Sequence, residues 1–288
     1  MNRVFGKLED LKRAKEAAKR KRDEVVEDNP CMWHKRSVFF RLKYWKDLLV
    51  QHNLDVMHIE KNVFDNVVNT LLDVKNKTKD NLASRLDMQI LQMKEDLHAE
   101  EVIDHNGKKT KLRPASYNLN AAMKKGFCRI LSSARFPDGC ASSLANKVQV
   151  DARKLVGLKS HDCHVIMQQL LPLAIRKILP TKACIALIRL SYFFKQMYSK
   201  VIRVEDMERL EYDIAATLCL MEKVFPPSFF DVMVHLCVHL PREAKLAGPV
   251  QYQSMWAVER WVENLYYVNC MLVLDVKCVL LFVGILRS

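Results

Sequence analysis

The sequence predicts a mostly α-helical protein with a short α/β stretch near its front. Three observations carry this. Only seven of 288 residues are glycine, while Leu, Ala, Met and Lys are abundant, a balance that favours helices over tight β-turn architectures. Apolar residues recur at helical spacing through most of the chain. From Ser160 onward, no segment alternates as a half-buried strand does.

Residues 1–30 read as a charged helical arm, closed by Asn29-Pro30. Its basic clusters, Lys12-Arg13 and Lys19 to Arg22, suit a nuclear import signal or a solvated helical face. The charged N-terminus does not resemble a secretory leader. "SVFFRL" (37–42) and "DLLVQHNLD" (47–55) have the aromatic and β-branched content of strands. Ile59, Val63, Val67, Leu71 and Val74 then mark a helix running to about residue 74. Further helices are expected over 80–94 and 119–133. Between them Asn106-Gly107 favours the tight turn of a hairpin, and "FPDG" (136–139) is another turn.

Ser160 is placed to cap a helix reaching Ile178, and Pro180 opens the next. Met207, Leu210, Ile214, Leu218, Met221 and Phe225 form one apolar stripe. After Pro226-Pro227, "SFFDVMVHLCVHL" (228–240) reads as a single helix. "CMLVLDVKCVLLFVGIL" (270–286) is nearly long enough to span a bilayer. Asp275 and Lys277 lie inside it, each costing about 2.5–3.5 kcal/mol at a helix centre, so a non-spanning tail with no membrane partner is expected. Nine cysteines without a CxxC pair suit reduced, intracellular thiols.

The net charge of +13 is unevenly placed. From His105 to Arg203 there are nineteen Lys and Arg against three acids, a balance of +16 that leaves −3 for the rest. Tyr117, Phe127, Tyr192, Phe193, Phe194 and Tyr198 lie within this stretch. Cations among aromatics suit a polyanion held by salt-sensitive phosphate contacts; a solvated basic face is the plainer alternative.

Three constellations could carry chemistry. Asp55 ends an expected strand, where a carboxylate can hold Mg²⁺ in the manner of RNase H-like nucleases, or it simply caps the helix that follows. His235 and His239 stand four residues apart on one helical face, a spacing that suits Zn²⁺. "SHDCH" offers His161, Cys163 and His164 as further ligands, and hydrogen-bonded core histidines fit equally well. Glu259 lies among Trp256, Val258 and Trp261, either on a helix surface or as a buried functional acid. Serine-hydrolase, P-loop and dinucleotide-binding signatures are absent.

"YWKDLLVQHNLDVMHIEKNVFDNVVNTLLD", "GLKSHDCHVIMQQLLPLAIRKILP" and "FPPSFFDVMVHLCVHLPREAKLAGPVQYQSM" together resemble the transposase of plant CACTA (En/Spm-type) DNA transposons, over about Cys31 to Trp261. The resemblance implies a truncated RNase H-like remnant followed by a helical transposase-associated domain of unknown function. It divides the chain into a charged arm (1–30), the remnant (31–104), a basic linking region (105–154), the helical domain (155–265) and an apolar tail outside the family pattern (266–288). It also implies DNA, at transposon ends, as partner, Mg²⁺ as cofactor and the nucleus as location. Asp55 matches the second acid of the family's Asp-Asp-Glu triad, with His58 three residues on, and Glu259 in "VER" matches the third. His235 and His239 match a paired-histidine motif that helps bind zinc in related recombinases. No candidate for the first acid stands before Asp55, so this copy is expected to bind nucleic acid and not to cleave it. The alternative is a helical protein-interaction module that docks a second copy or another transposase chain.

Overall fold

The computed structural model describes residues 38–51, 53–104, 107–137 and 141–253. The charged arm, Glu259 and the apolar tail lie outside these residues.

The described chain is mostly helical. Neither expected strand before residue 56 forms. Val38–Arg41 and Trp45–Asp47 are single 3₁₀ turns, and Leu48 to Asp55 run without regular structure where described. Among the described residues no neighbouring strand receives them, and Leu49 stays 83% exposed. Phe39 instead stacks on Trp45 at 4.6 Å.

Helix α1 (Val56–Leu71) follows the predicted stripe, burying Ile59, Val63, Val67 and Leu71. It stops three residues short of Val74 because the backbone turns left-handed at Asp73 (φ 50°). Helix α2 (Leu82–Ile90) starts at Asn81, whose side chain accepts from Ser84 N–H. Strands β1 (Glu100–Asp104) and β2 (Gly107–Lys111) pair antiparallel with Asp104 opposite Gly107. The hairpin was therefore legible, but Gly107 is a paired residue. Helix α3 (Ala121–Ser133) is capped by Asn120. A second ladder joins β3 (Val148–Gln149) to β4 (Lys154–Leu155).

The helix expected over 160–178 is broken into α4 (Ser160–Val165), a π-helical segment (Ile166–Leu170) and α5 (Leu171–Ile175). Pro172 is the cause. It lacks an N–H and its ring crowds the carbonyl four residues back, so the preceding turn widens and Leu171 N–H donates to Ile166 O. Lys159, not Ser160, is the N-cap; its N–H donates to Asp162 Oδ2 at 2.7 Å.

Helices α6 (Thr181–Met197) and α7 (Val204–Glu222) pack against each other, with α7 burying Met207, Leu210, Ile214 and Met221 as the stripe requires. The single helix expected over 228–240 is instead a 3₁₀ turn (Pro227–Phe229), α8 (Val232–Leu236) and α9 (Leu240–Ala247), before α10 (Val250–Gln253). Asp231 caps α8, and Pro241 blocks the helix from running through 237–239.

One buried apolar cluster runs from Val56 to Val250. It takes residues from each of the three central stretches, Phe64, Phe127 and Phe194 among them. Helix α1 packs on α4 and α8, α3 on α5 and β3, and α9 on α7 and α6. No helix among the described residues is long and apolar enough to cross a membrane.

Candidate nucleic-acid interface

Asp55 sits at the start of α1 as its N-cap. Its Oδ1 accepts from His58 N–H at 3.0 Å, and the side chain is exposed. This is the helix-capping geometry expected of a β-region residue before a helix. His58 takes part through its backbone, and its own side chain faces solvent.

His235 and His239 do meet. Their Nε2 atoms are 3.1 Å apart at the surface, one ring donating to the other. The other expected ligands do not join them, and no group of three or more His, Cys, Asp or Glu among the described residues is placed to hold a metal. His161 stacks on His164 with ring centroids 5.9 Å apart. Cys163 is buried, and desolvation pushes its thiol up to about 12, the opposite of what a zinc thiolate needs. These residues do not fit a zinc site.

His164 has a different partner. Its Nδ1 lies 2.8 Å from Oε2 of Glu60, whose side chain is 1% exposed. Gln168 Nε2 donates to Glu60 Oε1 at 2.9 Å. The ring of Tyr198 meets His164 edge-on at 4.4 Å, and its buried hydroxyl lies near Glu60 without a formed hydrogen bond. Burial, together with the carboxylates of Glu60 and Asp55, raises the phenol's pKa. A second buried network was equally invisible in sequence. Arg85 donates to both oxygens of Asp80 at 2.5 and 2.6 Å, and to the carbonyls of Leu97 and Arg113. Tyr117 O–H completes it on Asp80 at 2.9 Å. The buried charged groups of both networks are matched, as burial demands, while the Tyr198 hydroxyl has no hydrogen-bond partner among the described residues. Both networks tie α1 or α2 to distant parts of the chain.

The cations are arranged differently. In the basic stretch, Lys125 pairs with Asp151, Lys147 with Asp162, Arg189 with Asp213 and Arg113 with Glu100. Arg129, Arg135, Arg153, Lys154, Arg176 and Lys177 are exposed, with no ion-pair partner among the described residues. Because α3 packs on both β3 and α5, the segments bearing these six are neighbours. Of the seven aromatics in the stretch, Tyr117, Phe127, Phe193 and Phe194 are core and Phe136 and Tyr198 are half-buried. Tyr192 alone faces solvent.

The profile of a domain of unknown function (DUF4218) matches residues 197–271. This domain occurs in plant transposase-like proteins. The match covers α7 to α10 and reaches Met271, past the boundary expected at 265. No curated protein and no solved structure matches the chain.

Proposed function

We propose that this chain is a transposase-derived DNA-binding protein of the CACTA type, located in the nucleus, that holds duplex phosphates without cutting them. The observation that carries the reading is the set of exposed cations spread over α3, the β3–β4 turn and the end of α5. They belong to a stretch with nineteen basic and three acidic residues. Such a surface gains affinity from releasing the counterions condensed on DNA. The DUF4218 match over 197–271 supports the transposase lineage.

Binding without cleavage is supported by the role Asp55 has here. Its carboxylate is engaged as a helix cap, at the surface. The test is a nicking assay on supercoiled plasmid with Mg²⁺. The reading expects no relaxed or linear product; nicking that disappears in Asp55→Ala would contradict it. Titration of a labelled duplex tests the binding itself, because the protein-interaction alternative expects no affinity for DNA at any salt concentration.

A further inference from the structure

Helix α6 presents an outer face of mixed basic, apolar and aromatic side chains. Its seventeen residues, Thr181–Met197, include Lys182, Arg189 and Lys195 and no acid. The buried side takes Ala183, Leu187, Leu190 and Phe194 into the core. On the outer side, Lys182, Ile185, Arg189 and Tyr192 follow at intervals of three and four, which puts them on one stripe. Ile185 is 47% exposed and Tyr192 57%. Arg189, one turn before Tyr192, pairs with Asp213 of α7 at 3.5 Å, whereas Lys195, one turn after it, is exposed and flanks the ring with a charge that suits a phosphate.

We infer that this face of α6 is a site for single-stranded nucleic acid, in which an unpaired base stacks on Tyr192 while Lys195 holds the flanking phosphate. The inference rests on the polyanion reading above and adds the form of nucleic acid. A ring on a helix surface gains energy from a base only where the base's face is free, as it is in a single strand and is not within a stacked duplex. A protein partner suits the face less well. Two apolar side chains are far from the roughly 1,200 Å² that a specific protein interface buries, and the exposed Lys182 and Lys195 favour phosphate.

The test uses the full chain and fluorescence anisotropy, with a labelled single strand and a labelled flush duplex of equal length. Tyr192→Ala is expected to weaken single-strand binding about tenfold, within the range of one lost base–aromatic stack, and to leave duplex affinity unchanged. Tyr192→Phe keeps the ring and should bind as the wild type does. A single strand with abasic sites throughout should not distinguish Tyr192→Ala from the wild type. Equal losses on both nucleic acids, or none on the single strand, would overturn the Tyr192 site while leaving duplex binding standing. No affinity for either would overturn the polyanion reading itself. Unchanged thermal midpoints in the variants confirm that each has folded, as an exposed position allows.

Discussion

Lys147 Nζ lies 2.8 and 2.7 Å from the two carboxylate oxygens of Asp162, joining the segment before β3 to the first turn of α4. Burial of Asp162 opposes its ionisation, but the hydrogen bonds from Lys147 and from Lys159 N–H outweigh it, and its pKa falls below the ordinary value. The group therefore binds its proton less readily folded than unfolded, where its pKa is about 3.9. Its contribution to stability is present above that value and is lost as pH falls through the folded one. Asp162→Asn should unfold at lower denaturant than the wild type at pH 7. The difference should shrink below about pH 4, as urea midpoints measured across that range will show.

The Glu60 network predicts a large structural penalty. Glu60→Ala leaves the His164 ring and the Gln168 amide facing an apolar gap between α1 and α4. The loss should be about 3 kcal/mol, measured by urea unfolding. Glu60→Gln keeps the shape and an acceptor, and should cost less.

Arg85→Ala should be as severe or worse. It strands the Asp80 carboxylate, 3% exposed, and the carbonyls of Leu97 and Arg113. The expected cost is about 3–5 kcal/mol. If chemical denaturation shows a cost under about 1 kcal/mol, in the range of an exposed ion pair, the site is wetter than described.

Asp55 separates two accounts of the same residue. As a cap, Asp55→Ala should cost about 1 kcal/mol, and Asp55→Ser or Asp55→Asn should recover most of it. Thermal midpoints of the three variants measure this directly. A carboxylate serving a metal alone would show no such ranking, with the Ser variant no better than Ala and little change in stability for any of them.

The parts of the fold legible in sequence are those governed by neighbours along the chain. The stripe from Ile59 to Leu71 gave α1, the stripe from Met207 to Met221 gave α7, and Asn106-Gly107 marked the hairpin. The failures have physical causes. Val38, Phe39 and Phe40 have the propensity of a strand, but β structure needs a partner strand and none is present among the described residues. Pro172 and Pro241 interrupt helices whose apolar spacing runs straight through them. For the site, the cation excess was readable as a count, whereas its placement on α3, β4 and the end of α5 was not. Glu60 lies in an amphipathic helix, and nothing in its local sequence marks it as buried. Its partners lie 104 and 108 residues away, a separation that no local pattern encodes. Of the expected zinc ligands, only the His235–His239 spacing is local; a link to Cys163 and His161 is long-range, which no local pattern encodes.

The most direct measurement is the salt dependence of duplex-DNA affinity. If the six exposed cations each meet a phosphate, the logarithm of the association constant should fall linearly against log salt with a slope of about −5. Replacing Arg153 and Lys154 by Ser should make that slope shallower by about 2 without altering the thermal midpoint. No measurable affinity at low salt, or an affinity indifferent to salt and to those substitutions, would contradict the account.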